Sequence, residues 1–327
     1  MIISRTPLRM SFVGGGSDLP LFYRKHGGAV VSTAINQYVY LTVNPKFDQG
    51  IRVSYSRTEE VENVERIRHP LVREALKLTG IHGGIEIASV ADIPAKGTGL
   101  GSSSAFTVGL LHALHAHSER HASAEQLARE CCEIELERCK EPIGKQDQYA
   151  VAYGGLNHIR FLPDDSVIVE PIICKRETLS RLQDQILVFY TGLTRSASEV
   201  LRRQQTSMRG GRKKQDALKR MVTLADELKS ELQKNNVDAL GEIIHENWEL
   251  KRSLSEGIST PKIDAWYAKA RAAGAQGGKL LGAGSGGFLM FCAPFDKHEA
   301  IGRALSDLRR IQFRFEPQGS KIIFVHH

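Results

Sequence analysis

Pro94-Ala95-Lys96-Gly97-Thr98-Gly99-Leu100-Gly101-Ser102-Ser103-Ser104-Ala105 is the stretch that decides the fold. It follows an apolar, β-branched run over 85–93 and leads into an apolar run over 106–114 with the character of a buried helix. Glycine lets backbone N–H groups converge on an anion and lets a bulky group approach closely. The helix start adds unpaired N–H groups and the positive end of the helix dipole. Serine hydroxyls donate to phosphate or ligate magnesium. Three serines after Gly99-Leu100-Gly101 exceed what a helix cap requires. Lys96 to Ser104 therefore form the expected cradle for the phosphates of a nucleoside triphosphate.

The cradle is neither of the two common glycine-rich types. Gly97, Gly99 and Gly101 do not match Gly-x-Gly-x-x-Gly. The nearest approach to a P-loop lies over 274–280, where Gly278-Lys279 is followed by Leu280 instead of Ser or Thr and position 273 is Ala. The His-Arg-Asp and Asp-Phe-Gly motifs of protein kinases are absent.

At 327 residues the chain suits two domains, and 41% hydrophobic with 25% charged residues is the composition of a globular protein. No apolar run is long enough to span a bilayer, and the start lacks the order of a signal peptide, so a cytoplasmic enzyme is expected. Cys131, Cys132, Cys139, Cys174 and Cys292 form no Cys-x-x-Cys pair, and their odd number points to reduced thiols. The net charge of +7 suits anionic substrates. Much of the excess, Arg202-Arg203 and Arg209 to Lys214, reads as a solvated helix face around a Gly-Gly break. No aromatic residues interleave these charges, so nucleic acid is not an expected partner.

Strands are expected over 30–43, 51–55, 85–90, 167–173, 185–190, 286–292 and 321–325. Helices are expected over 70–79, 103–116, 123–139, 196–205, 215–234, 237–254, 260–273 and 297–310. Ser123 with Gln126 forms a capping box. Strands and helices alternate irregularly, which fits α+β, and a domain division is placed near 180, giving 1–180 and 181–327.

Two further glycine clusters stand out. In Arg9-Met10-Ser11-Phe12-Val13-Gly14-Gly15-Gly16-Ser17-Asp18 a strand runs into three glycines and an acid. Gly15, Gly16 and Ser17 would bring backbone close to a ligand, and Asp18 either accepts from two sugar hydroxyls or caps the next helix. Gly282-Ala283-Gly284-Ser285-Gly286-Gly287 implies close backbone approach to a ligand or to another loop.

Phosphoryl transfer also needs a metal ligand and a group that orients or deprotonates the attacking hydroxyl. Glu130, Glu133, Glu137 and Glu141 share one helical face, expected to be solvated. Glu135 alone falls in the stripe Ala128, Cys132, Glu135, Cys139, where a carboxylate needs a partner such as Mg²⁺. Asp147, in Gly144-Lys145-Gln146-Asp147-Gln148-Tyr149, is the candidate general base, placed just before a strand or turn restarting over 151–155. His112, His115, His117 and His121 do not make a zinc site: only the first two share a face, and no thiol or acid completes a set.

In this order and at these separations the three glycine-rich segments resemble the superfamily of galactokinase, homoserine kinase, mevalonate kinase and phosphomevalonate kinase, the GHMP kinases. Residues 94–105 resemble its Pro-x-x-x-Gly-Leu-Gly-Ser-Ser-Ala signature with one extra serine, and 280–288 resemble its C-terminal glycine motif. The resemblance implies a two-domain α+β fold, with an N-terminal domain like ribosomal protein S5 domain 2 and a ferredoxin-like C-terminal domain. It implies ATP phosphates over Gly99 to Ser104, and Ser103 with Glu135 at the magnesium position. It places Asp147 at the catalytic aspartate, as base or as orienting group, Arg9 beside the transferred phosphate, and Asp18 at the sugar.

Arg5-Thr6-Pro7-Leu8-Arg9, residues 14–20, Tyr190-Thr191-Gly192 with Thr194-Arg195-Ser196, and residues 277–282 look like the bacterial heptose 7-phosphate kinases within that superfamily. Ser285 stands where that group often has glycine, beside Gly284. A substrate that already carries a phosphate needs basic residues at its far end, and Arg195, Lys251 and Lys279 are the candidates. The implied partners are ATP, Mg²⁺ and a small sugar phosphate; a homodimer is compatible with the resemblance.

Overall fold

The computed structural model describes residues 1–93, 97–193 and 211–326. Lys96, Arg195, Arg202, Arg203, Arg209 and the helix expected over 196–205 lie outside the described residues.

The strands, in chain order, are β1 (Ile2–Val13), β2 (Gly28–Pro45), β3 (Ile51–Ser54), β4 (Thr58–Val61), β5 (Ile85–Ala91), β6 (Leu156–Phe161), β7 (Val167–Pro171), β8 (Ile186–Tyr190), β9 (Gly277–Leu280), β10 (Phe288–Cys292), β11 (Arg309–Ile311) and β12 (Lys321–Val325). The α-helices are α1 (Pro20–His26), α2 (Pro70–Thr79), α3 (Ser102–His117), α4 (Ala124–Cys132), α5 (Gln146–Tyr153), α6 (Arg176–Asp184), α7 (Arg212–Gln233), α8 (Leu240–Ser253), α9 (Pro261–Ala272) and α10 (His298–Ala304).

The first sheet runs β12-β1-β2-β5-β3-β4, with β6 paired to β2 and β7 paired to β6. Its spine is β2. The first half of β2 is buried on both faces and pairs with β6; its second half alternates and pairs with β5. Both α7 and α3 pack against β2, and a strand reads as alternating where only one of its faces is covered. α3 is apolar nearly all round and is enclosed by the sheet, α2, α4 and α5. Gly109 lets it seat closely, since a Cβ there would come within 2.8 Å of Thr6 Oγ1.

The second sheet runs β11-β8-β10-β9, all antiparallel. Numbered along the chain its strands lie in the order 4-1-3-2, with helices after the first and third, which is the ferredoxin-like arrangement. The α+β architecture and the ferredoxin-like second layer that the resemblance implies are therefore present. The two layers interlock: Leu19 and Phe22, at and in α1, join the second core, while Leu224, Leu228 and Leu232 of α7 join the first.

Several expectations are corrected. The helix expected over 297–310 ends at Ala304, and Arg309–Ile311 pairs with the edge of β8, a tertiary pairing that no glycine or proline announces. The strand or turn expected over 151–155 is the end of α5, stopped by Gly154 and Gly155 at positive φ. The helix expected over 123–139 is α-helical only to Cys132 and continues as a π-turn, Glu133–Arg138. Apart from these corrections, position 180 lies in α6, and β12 pairs with β1 of the first sheet. Among the described residues no helix is long and apolar enough to cross a membrane.

Two glycines hold the layers together at the cleft. A Cβ on Gly99 would run into the Leu281 carbonyl, and one on Gly282 into Gly99 itself. Both residues have positive φ. Gly99→Ala is expected to lose about 2 kcal/mol or more in urea denaturation, from strain and overpacking together. Gly302→Ala, in α10 with open space around it, should gain about 0.5–1 kcal/mol. Equal stability of the two variants would contradict the close-approach assignment.

Candidate active site

β1 delivers Arg9, which is buried and pairs with Ala34 of β2. Its side chain is 3% exposed, against 26% for Asp147. The guanidinium is bidentate to Asp147: Nε donates to Oδ1 at 2.8 Å and Nη2 to Oδ2 at 2.8 Å. Nη1 donates to the Gly99 carbonyl at 2.7 Å, and the Arg9 amide donates to the Leu100 carbonyl at 3.0 Å. Gly101 leaves room for the pair, as a Cβ there would lie 3.1 Å from Arg9 Cγ. One residue thus joins β1, the glycine loop and the first turn of α5.

α3 starts at Gly101, which is left-handed and supplies no side-chain cap. The first amides of α3, at Ser102, Ser103 and Ser104, are left without a capping side chain and line a cavity of about 250 Å³. That cavity opens between the two sheets and is closed on other sides by Arg9, Asp18, Asp147, Lys251 and Lys279. Gly97 and Thr98 line it as well, and Thr98 Oγ1 lies 3.2 Å from Ser102 Oγ. The Leu100 side chain is in the core, and only its backbone serves the loop.

Glu135 is fully buried on the π-turn. Such one-turn irregularities in helices are frequent at functional positions. Ser104 Oγ and Gln148 Nε2 donate to Oε2 at 2.8 and 2.7 Å, and Ser103 Oγ donates to Oε1 at 3.0 Å. Burial pushes the Glu135 carboxyl up from its ordinary value, and these three donors pull it back. A carboxylate ringed by hydroxyls beside a phosphate cradle is an oxygen donor set suited to Mg²⁺, which takes one or two protein ligands and leaves the rest to phosphate and water. Among the described residues no group of three or more His, Cys, Asp or Glu forms a metal cluster.

Asp18 is buried, and its Oδ1 accepts from the Gly16 amide at 2.8 Å while Oδ2 accepts from the Gln146 amide at 3.3 Å. Burial raises its pKa; the Gly16 hydrogen bond opposes this, and the Asp147 charge adds to it. Lys251 Nζ donates to the Gly15 carbonyl at 3.0 Å, and Lys279 Nζ to the Ser11 carbonyl at 2.9 Å. Burial pushes Lys251 down to about 8, with Asp18 pulling it up. Burial pushes Lys279 down to about 7, helped by the charges of Lys251 and Arg9.

Other sequence expectations come out differently. Ser17 points into the core, where Oγ donates to the Ala29 carbonyl at 3.0 Å. Gly284 and Ser285 face the loop at 257–258: the Ser285 hydroxyl donates to the Gly257 carbonyl, and a Cβ on Gly284 would clash with Ile258. Close approach to another loop is realised at Gly284 and Ser285, while Gly282 and Ala283 of the same cluster line the cavity. Glu130, expected on a solvated face, is half-buried and lies 2.6 Å from His115 Nε2. Ser11, Gln146 and Gln148 were not singled out by sequence. A glutamine on each side of Asp147 was visible, but nothing in the sequence placed one against Glu135.

Family profiles agree with this geometry. The GHMP kinases N terminal domain matches residues 65–155 and the GHMP kinases C terminal domain matches 228–311. A D-glycero-alpha-D-manno-heptose 7-phosphate kinase of Campylobacter jejuni is 28% identical over 98% of both chains. A bifunctional fucokinase/GDP-fucose pyrophosphorylase of Arabidopsis thaliana is 28% identical over 88% of this chain and 29% of that longer one. A crystal structure described as a D-glycero-D-manno-heptose 1-phosphate kinase from Bacteriodes thetaiotaomicron superposes with a TM-score of 0.82 at 25% identity, covering 100% of both chains. The chain belongs to the GHMP kinases and is an ATP-dependent kinase of their sugar-kinase kind.

The buried lysines generate a pH prediction. Lys279 has an ordinary value of 10.5 when unfolded and about 7 when folded. Between those values the unfolded chain binds more protons, so this group makes the ligand-free protein more stable as pH rises. Lys279→Met should therefore melt higher than the wild type at pH 7, with the advantage shrinking by pH 9. An advantage that does not change with pH would contradict the assignment.

Proposed function

We propose that this kinase phosphorylates the anomeric C1 hydroxyl of D-glycero-D-manno-heptose 7-phosphate, giving the 1,7-bisphosphate that serves nucleotide-activated heptose and surface-polysaccharide synthesis. The observation that carries the reading is a cleft lined by two buried lysines, Lys251 and Lys279, in a chain aligned end to end with a heptose 7-phosphate kinase. An anionic substrate group would restore the charge that burial removes from them. Lys251, whose charge interacts with Asp18, lies on the sugar side and is the stronger candidate for the 7-phosphate; Lys279 feels Arg9 and lies nearer the reacting end.

In this reading the ATP phosphates lie over the amides and hydroxyls at the start of α3, with Gly97 to Gly101 close beneath. Ser103 and Glu135 would hold Mg²⁺, which when bound neutralises phosphate charge. Asp147 accepts the hydrogen bond of the C1 hydroxyl on the lone pairs that Arg9 leaves open. Arg9 fixes the rotamer of Asp147 and adds positive charge where the phosphoryl group passes. Phosphoryl transfer has a loose transition state, so positioning and electrostatics supply most of the rate. Gly15, Gly16 and Asp18 border the sugar. The cytoplasm is the compartment where ATP and such a sugar phosphate meet.

The fucokinase relative supports a second reading, a free-sugar 1-kinase, and the crystal structure's description supports a third, a heptose 1-phosphate acceptor. One assay separates them: ATP consumption with heptose 7-phosphate, heptose 1-phosphate, free heptose and L-fucose, with the product's phosphate located by NMR. The expected result is fastest turnover of the 7-phosphate with new phosphate at C1. Asp147→Asn should lower that turnover by about 10²–10⁴-fold and leave ATP binding near wild type. Lys251→Ala should raise KM for the 7-phosphate and not for free heptose. Equal kcat/KM for phosphorylated and free sugar would sink the heptose 7-phosphate reading and promote the fucokinase-like one.

A further inference from the structure

Two polar side-chain atoms in the cleft are buried without any hydrogen-bond partner among the described residues: Ser11 Oγ and Gln146 Oε1. Buried polar atoms are normally satisfied, so each orphan calls for an explanation. Both residues line the cavity, and both converge on one point. A methyl group placed on Gly15 would lie 3.7 Å from Gln146 Nε2, 3.8 Å from Gln146 Oε1 and 3.9 Å from Ser11 Oγ. The Gly15 backbone, the Gln146 amide and the Ser11 hydroxyl thus face one another across ordinary contact distances at the cavity wall.

The local structure holds them there. β1 carries a register irregularity between Ser11 and Val13, of the kind that re-aims a side chain. The Ser11 carbonyl is engaged by Lys279, which fixes the backbone below its hydroxyl. Gln146 opens α5, and its amide is tied to the Asp18 carboxylate. Its side chain therefore points from the same turn that carries Asp147.

We propose that Ser11 and Gln146 are specificity-determining residues that read ring hydroxyls of the sugar. One hydroxyl donates to Gln146 Oε1, and a hydroxyl on the same face of the ring exchanges a hydrogen bond with Ser11 Oγ. A substrate bearing methyl or methylene groups there would leave both atoms buried and unpaired, so the pair also rejects non-sugar alcohols. The inference rests on the sugar-kinase reading of this cleft and not on the position of the substrate's phosphate.

The test uses Ser11→Ala, Gln146→Met and Gly15→Ala in the full chain. The sugar is whichever one the wild type turns over fastest, together with its monodeoxy analogues. Ser11→Ala and Gln146→Met should each lower kcat/KM roughly tenfold to a hundredfold through KM for the sugar, with KM for ATP within about twofold. For one deoxy analogue, wild type and variant should be equally poor. Without sugar, both variants should melt at or above the wild-type temperature, because no protein hydrogen bond is lost. Gly15→Ala, which meets only ordinary contacts and has no positive φ, should fold normally and exclude the sugar.

Unchanged kcat/KM in both Ser11→Ala and Gln146→Met would overturn the proposal. So would a melting temperature several degrees lower with the same loss on every analogue, which marks a structural role. If the preferred substrate is a sugar other than heptose 7-phosphate, the proposed function fails while this inference is tested on that sugar. If only a non-sugar alcohol is phosphorylated, both fail.

Discussion

The bidentate contact between Arg9 and Asp147 is the constraint on which the cleft depends. Three segments distant in sequence meet there: β1, the loop at Gly99 and the first turn of α5. An ion pair this sheltered gains little over an apolar contact when both partners are present. Removing one partner costs about 3–5 kcal/mol, because a charge is left behind uncompensated. The pair therefore fixes the Asp147 side chain, while the loop keeps its own tie to Arg9 through the Gly99 carbonyl. The Gly99–Gly282 approach acts on the other side of the same loop, bringing the second layer against it. Together they hold the phosphate cradle between two sheets instead of leaving it on one.

The cleft is costly to fold. It buries Asp18, Glu135, Lys251 and Lys279 and leaves Ser11 and Gln146 with unpaired atoms. Each of these choices works against the ligand-free protein, and under the proposed function each is offset when phosphate, cation or hydroxyl binds. Residues that break the ordinary rules of burial thus cluster where ligands are expected. Around them the rules hold: α3 is packed on all sides, and β2 alternates wherever one face is open.

Local chemistry was readable from sequence. The run from Gly97 to Ser104 announced a strand–loop–helix junction, and helical spacing singled out Glu135 from three neighbouring glutamates. Asp147 stood out by its polar surroundings. What could not be read was set by tertiary contact. Nothing local says that Arg9 reaches Asp147, that Lys251 and Lys279 bond carbonyls of β1 and its turn, or that β12 returns to the first sheet. Glycines were legible as tight spots but not by what crowds them: a Cβ on Gly284 would meet the Ile258 backbone. The end of α10 at Ala304 was missed because pairing of β11 with β8 outweighs a continuing helical pattern.

A double-mutant cycle on kcat/KM with Arg9→Gln and Asp147→Asn tests the central claim most directly. If Arg9 works by holding Asp147 and the loop as one unit, the double variant should be no slower than the slower single variant, because the second change finds the unit already broken. Losses that multiply, with each substitution acting at full strength in the presence of the other, would show two independent groups and contradict the account.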